Sequence, residues 1–246
     1  MPRNRTRQLR DGVREAYSAA AERPQEEHPF PVGQRFAESV GYPQDLLDDL
    51  PIGSTVAFAG VSNVVILADI AAGSTVLDLG CGAGVDCLIA AKWVEPEGRV
   101  IGVDFSHTML ARARQATAEA GADNVELHQA DAENLPFGDG TIDLVLVNGI
   151  FNLNPKRKVI FSELARVVRV GGAVYAAELI LKEALPPEIQ ASEAEWFAWI
   201  SGAKEGGAFL EEFRTAGFCE ASILRTTRNA RTKHPWVLAA EVYAQK

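Results

Sequence analysis

Cysteine is scarce in this sequence, and what little there is excludes a stapled fold. Cys81, Cys87 and Cys219 form an odd, irregularly spaced set of three, which makes no disulfide framework and suits a reducing compartment. Long apolar runs are missing as well. The most apolar stretch, 64–72, is broken by Asp69 and falls far short of the ~20 residues of a spanning helix. Basic charge is in deficit: 24 Lys and Arg stand against 33 Asp and Glu, a net charge of -9. A surface that acidic repels phosphate backbones and argues against nucleic acid as a partner. Arg3, Arg5 and Arg7 open the chain without an apolar stretch behind them, so no secretory signal is read there. Asp11 and Glu15 speak against an organelle transit peptide, and a cytoplasmic location is expected. There is no internal repeat, and His28, His107, His128 and His234 stand in no base or metal motif. No metal is expected.

What is present describes a soluble globular chain. Apolar residues make up 47%, charged residues 23%, and mean hydropathy is -0.02. A length of 246 residues suits one α/β domain. The first sixty residues are mixed: a helical pattern over Gln8–Glu22, then proline-rich turns, expected to form a helical cap over 1–60. From Ser74 the rhythm is regular. Strands are predicted over Thr75–Leu79, Arg99–Asp104, Val125–Gln129, Ile142–Val147 and Ala173–Ile180, alternating with helices over Val85–Trp93, His107–Ala120 and Lys156–Val168. This alternation predicts a Rossmann-like, doubly wound α/β sheet over 61–246, mainly parallel, with helices on both faces. An aromatic helical insertion is expected at about 185–216. Two runs then follow without a helix between them, Ala221–Arg225 and Trp236–Tyr243, and predict an antiparallel edge.

Asp78-Leu79-Gly80-Cys81-Gly82-Ala83-Gly84 joins the first strand to the first helix. Glycines there permit a sharp turn and close approach of a ligand to a helix N-terminus. The spacing is G-x-G-x-G, with Val85 where a dinucleotide fingerprint would place its last glycine. Asp78 would repel a pyrophosphate but attract a ligand ammonium. Asp104 ends the second strand, 20 residues beyond Gly84, where a carboxylate reaches both ribose hydroxyls of a nucleoside. Asp131, after the third strand, suits an adenine amino group, and the backbone of Ala132 a ring nitrogen. Ammonium, ribose and adenine anchors in that order describe S-adenosylmethionine. The rival nicotinamide reading lacks its glycine pattern.

These motifs, with Leu135-Pro136-Phe137, resemble those of the class I S-adenosylmethionine-dependent methyltransferases from Ser74 to about Ile180. The resemblance implies contacts to the methionine portion from Asp78, Gly80, Gly82 and Gly84, ribose contact from Asp104, and adenine contact from Asp131 and Ala132. It also implies packing on the purine by Phe105 and Met109, and places Asn148 near the methionine carboxylate or the transferred methyl. Tyr17 aligns with a tyrosine on a helix that closes over the cofactor in relatives. By position on the fifth strand, Glu178 is the carboxylate expected to serve as a base if the acceptor must lose a proton.

Val85-Asp86-Cys87, Asn148, Asn152-Leu153 and Ile200-Ser201-Gly202-Ala203 are similar to the arsenite methyltransferase branch. Of that branch's metalloid-binding cysteines this chain keeps Cys87. Gly149 or Phe151, and Trp199, stand where others are placed, and Phe58–Asn63 contains none. A soft metalloid requires two or three thiolates, so arsenite methylation is the alternative rather than the expectation. An apolar pocket formed by Phe151, Trp196 and Trp199 is expected to take a small organic acceptor. A module that binds S-adenosylmethionine without turnover is a further alternative.

Overall fold

The computed structural model describes residues 3–186, 189, 192, 196, 199–232 and 234–246, with side chains from residue 6 onward. Phe197 and most of the stretch 187–198, where an aromatic helix is expected, lie outside the described residues.

Helix α1 (Arg3–Glu22) is followed by four short helices, α2 (Gln34–Ser39), α3 (Gln44–Asp48), α4 (Ile52–Thr55) and α5 (Val64–Leu67). The regular part then runs β1 (Thr75–Leu79), α6 (Val85–Trp93), β2 (Arg99–Asp104), α7 (His107–Ala120), β3 (Val125–Gln129), β4 (Ile142–Asn148), a 3-10 turn at Phe151–Leu153, α8 (Arg157–Val167) and β5 (Val168–Leu181). It closes with β6 (Lys204–Glu205), α9 (Gly206–Ala216), β7 (Glu220–Arg228) and β8 (Val237–Gln245). The described residues form one sheet in the order β3-β2-β1-β4-β5-β8-β7, with β6 beside the end of β5. Strands β1 to β5 pair in parallel, and β8 lies antiparallel between β5 and β7. The predicted doubly wound sheet with an antiparallel edge is thus the observed fold. Strand order reverses between β1 and β4, so their carboxyl ends open the crevice in which such sheets hold ligands.

Alternation along the strands divides the core between two faces. Val76, Leu146, Ala177 and Leu179 face α1, α5, α6 and α7, whereas Leu77, Leu79, Val145 and Val147 face α8 and α9. On the second face Phe151 stacks on Phe161 at 4.6 Å, and Phe213 meets Phe161 edge-on at 4.8 Å.

Three boundaries depart from the sequence reading. Helix α1 begins at Arg3 rather than Gln8, its first turns carrying an Arg7–Asp11 ion pair at 3.6 Å along one helix face. Strand β5 begins at Val168, which pairs with Ile142 and ends α8 one residue sooner than expected. Arg169 and the pair Gly171-Gly172 interrupt the apolar run and hide that extension. The inserted segment is not one helix. Trp199 has a left-handed backbone with φ 64, and Lys204–Glu205 pairs as β6 with Ile180 and Leu181 before α9 begins.

Phe213 is fully buried against Phe151, Phe161, Phe209 and Phe218. Phe213→Ala is expected to cost about 3–5 kcal/mol, read in urea unfolding as a lower midpoint at an unchanged slope.

Candidate active site

A cleft of about 1140 Å³ of open space, mouth included, lies at the carboxyl ends of β1, β2 and β4. Its floor is the glycine turn. The N–H groups of Gly80 and Cys81 donate to the Val103 carbonyl at 2.8 and 3.0 Å, tying the turn to β2. Gly80 has φ 83, and a Cβ there would collide with Ile150, so the tight turn and the close packing both require glycine. The N-terminus of α6 follows directly, after Gly84.

Asp78, Asp104 and Asp131 all border this one cleft. Asp104 is the best defined. Its Oδ1 accepts from Ser106 N at 2.7 Å and its Oδ2 from Gly82 N at 2.9 Å, leaving each oxygen capacity for a further donor. Burial raises its pKa to about 6 despite those donors. Asp78 is buried, accepts a hydrogen bond from the Cys87 thiol at 3.1 Å, and has its pKa raised by burial and by the neighbouring Asp86 and Asp104. Asp131 sits at the mouth, where Arg10 donates to it at 2.8 Å and also reaches Glu133 at 3.3 Å. Ala132 lies beside it. Phe105 and Met109 line the same end, with the Arg14 guanidinium 5.7 Å above the Phe105 ring.

Asn148 borders the cleft, but its amide is committed. Its Oδ1 accepts from Val61 N at 2.7 Å, and its Nδ2 donates to the Ser62 carbonyl at 2.9 Å and to Asp86 Oδ2 at 3.2 Å. It clips the end of β4 to the 60–63 turn and to α6. Tyr42 completes the knot, its hydroxyl donating to Asp86 at 2.6 Å. Burial lifts the Asp86 carboxyl to about 6, with Tyr42 and Asn148 pulling the other way. Tyr17 borders the opposite wall, and burial raises its phenol well above the ordinary value.

Four expected site residues stand elsewhere. Glu178 belongs to the α8/α9 face by strand alternation, is fully buried, and accepts from Asn152 N at 3.1 Å and Leu179 N at 2.9 Å. It does not border the cleft, so a base there must be sought among other groups. Phe151 is core on that same face. Trp199 and Trp196 lie behind the cleft wall: Trp199 Nε1 donates to the Gly149 carbonyl at 2.8 Å and Trp196 Nε1 to that of Leu153 at 3.2 Å. Both indoles brace the loop after β4 instead of lining it.

Other cleft residues escaped the sequence reading. Arg10 and Arg14 share a face of α1 with the expected Tyr17, at a helical spacing that marks all three. Asp86 was quoted but given no role. Tyr42, which holds Asp86 from outside the cleft lining, stands alone in a turn-rich segment and carries no signal in the sequence.

Residues 70–217 match the model of the methyltransferase domain family. The chain belongs to that family. The chain is 34% identical over 182 residues to an arsenite methyltransferase of Halobacterium salinarum, covering 74% of this chain and 46% of that one. It is 32% identical over 166 residues to a demethylmenaquinone methyltransferase of Lactococcus lactis, covering 59% and 66%. It thus spans about half of the first relative and about two thirds of the second. In fold it resembles an arsenic(III) S-adenosylmethionine methyltransferase from Chlamydomonas reinhardtii, with a TM-score of 0.69 at 24% identity, covering 86% of this chain and 72% of that one. Family and fold together place it among the class I S-adenosylmethionine-dependent methyltransferases, near the arsenite branch.

The residues present fit that cofactor. Asp104 retains acceptor capacity, Phe105 and Met109 offer an apolar seat, and the buried carboxylates Asp78 and Asp86 favour a cation.

The raised carboxyl of Asp104 has a consequence for stability. With a folded value of about 6 against an ordinary 3.8, the native state holds more protons than the unfolded chain between those limits. The contribution of Asp104 to ligand-free stability therefore falls as pH rises through that window. Relative to the wild type, Asp104→Asn is expected to gain roughly 2 kcal/mol between pH 4 and pH 7, measured by denaturant unfolding at both values.

Proposed function

We propose that this chain transfers the methyl group of S-adenosylmethionine to a small organic acceptor with an apolar or aromatic body. The supporting observation is the meeting of Asp78, Asp104 and Asp131 at a single cleft beside an apolar wall formed by Phe58, Ile150 and Leu153. The cofactor, when bound, supplies an electrophilic methyl on a sulfonium. The protein's own work is alignment and exclusion of water. Asp104 accepts from the ribose hydroxyls, while Asp78 attracts the methionine ammonium. Phe105 and Met109 pack on the purine, and Ala132 together with Asp131 marks its edge. The main-chain turn through Gly80, Gly82 and Gly84 admits the methionine portion closely. Asn148 acts as a positioning residue, because its amide holds the 60–63 turn and Asp86.

The acceptor enters between Tyr17 and the 57–60 wall, where the lining is largely apolar. Tyr17 closes this side as part of α1. Its phenol, kept protonated by burial, serves as a donor and not as a base.

Arsenite methylation is the second reading, supported by the likeness to the arsenite methyltransferase of Halobacterium salinarum. The Cys81 and Cys87 sulfurs both flank Gly102, within 3.0 Å of where its Cβ would be. Cys87 already donates to Asp78, and Cys219 lies exposed beside the carbonyl of Gln245 on the β8 edge. The hydrogen bond between the two thiols, together with burial and the nearby Asp78 charge, raises the pKa of Cys87; the same bond lowers that of Cys81, but burial and Asp78 outweigh it, so the pair is a poor source of thiolate.

Calorimetric titration with S-adenosylhomocysteine is expected to show one site per chain, and Asp104→Ala is expected to weaken it by about 1–3 kcal/mol. Because the ionised Asp104 is the better acceptor, affinity should fall by up to about tenfold per pH unit below pH 6. An unchanged affinity in Asp104→Ala would remove the ribose assignment. Release of S-adenosylhomocysteine with arsenite, but with no member of a panel of phenols, amines and carboxylic acids, would favour the second reading.

A further inference from the structure

A buried cation lies behind the cleft wall with most of its hydrogen-bonding capacity unspent among the described residues. Arg231 stands in the turn between β7 and β8, where Asn229 Oδ1 accepts from Arg231 N at 2.8 Å and Thr232 N at 3.2 Å. That turn fixes the direction of the side chain. Its guanidinium carbon sits 3.4 Å from the centre of the Trp199 ring, with Phe36 at 5.4 Å and Phe30 at 5.6 Å. Nη1 donates to the carbonyls of Ala59 and Gly60. Nε and Nη2 are buried and have no hydrogen-bond partner among the described residues.

The contrast with Arg157 is instructive. That guanidinium is also ringed by phenylalanines, yet Glu212, Asn152 and the Gly202 carbonyl meet its two Nη atoms. Among the described residues no acid pairs with Arg231. Glu178 is within electrostatic reach, but its oxygens accept from the backbone of Asn152 and Leu179. The Tyr17 hydroxyl lies alongside and favours the charged form without meeting either free nitrogen in good geometry. Burial pulls the pKa of Arg231 down to about 10, so it stays charged at neutral pH.

An unpaired buried charge is costly, and stacking on Trp199 offsets the cost only in part. Nε and Nη2 form one edge of the planar group, two nearly parallel N–H donors that match the two oxygens of a carboxylate or phosphate. Tyr17, Ala59 and Gly60 border both this guanidinium and the cleft. Arg231 does not itself border the cleft. We propose that it recognises, past Tyr17 and the 57–60 wall, an oxyanion carried by the methyl acceptor, so that the acceptor is an organic carboxylate or phosphate ester. The inference rests on the methyl-transfer reading and names its substrate class.

The test is calorimetric titration of the full chain saturated with S-adenosylhomocysteine, using benzoate, phenyl phosphate and uncharged benzamide as probes. Failure of S-adenosylhomocysteine itself to bind would overturn the cofactor reading, independently of Arg231. In the wild type, at least one anion is expected to bind about tenfold or more tighter than benzamide. A preference for benzoate identifies a carboxylate, and one for phenyl phosphate a phosphate ester. Arg231→Gln should bring the ratio close to one while leaving S-adenosylhomocysteine affinity unchanged. Should that variant not fold, Arg231→Lys keeps the charge without the fork and should lower the ratio. Equal binding of anions and benzamide in the wild type, or an undiminished ratio in both variants, overturns the proposal.

Discussion

Three carboxylates buried around one glycine turn set the terms for everything near them. Asp78, Asp86 and Asp104 are each less than a tenth exposed, and burying a charge is tolerated only when donors or a counter-charge compensate. Asp104 is met by two backbone N–H groups, Asp86 by Tyr42 and Asn148, and Asp78 by the Cys87 thiol, the weakest donor of the set. The turn must therefore hold its shape to keep those donors in place. It must also leave the inner end of the cleft short of positive charge. A sulfonium carrying an ammonium supplies what is missing there, so the electrostatic strain of the ligand-free site becomes affinity for its ligand.

The same constraint explains why so much of the N-terminal third is folded onto the sheet. The 60–63 turn is fastened by Asn148, and Ser62 also reaches the buried Glu241 of β8. Helix α1 is fastened at the mouth by Arg10 to Asp131 and Glu133, and at its far end by Arg112 to the Ala21 carbonyl. These are polar contacts at the rim of an apolar interface in which Leu9, Val13 and Ala20 are buried. As the proposed roof of the site, α1 would exclude water from the cleft beneath it. The Arg10 latch occupies an Asp131 oxygen that the purine edge would also approach, so docking of α1 and seating of the nucleoside act on one carboxylate.

Sequence pattern reached the sheet more surely than the cleft walls, for physical reasons. Strand-end aspartates and glycine turns are local: Asp78, Gly80 and Asp104 owe their positions to β1, β2 and the connection between them, so a parallel sheet brings them together with little help. Glu178 shows where this reasoning stops. Its place near the end of a strand was legible, but which face it takes depends on register, and alternation sends it toward α8 and α9. Phe151, Trp196 and Trp199 failed for another reason. Aromatic residues near a site are as useful for bracing a loop as for touching a substrate, and only the direction of each ring separates the two uses. Asp86, Tyr42 and Asn148 form a network across more than a hundred residues of chain, a range at which one sequence carries no pairing signal.

Cofactor and acceptor specificity are consequently built from different material. In the proposed reading, strand ends of the parallel sheet would hold the nucleoside side, and their geometry follows from backbone pairing within the sheet. The proposed acceptor side would be made from α1, the 57–63 stretch, the loop after β4 and the β7–β8 turn, none of which the sheet's hydrogen bonding constrains closely. Trp199 stands at the junction. Its left-handed backbone is unfavourable for a bulky residue, and its indole bonds Gly149 on one side while carrying Arg231 on its face. A strained residue that is held from both sides persists because the surrounding structure over-determines it. Here that structure is the proposed acceptor wall, so on that reading a change of acceptor is accommodated around Trp199 while the aspartates at the strand ends stay where they are.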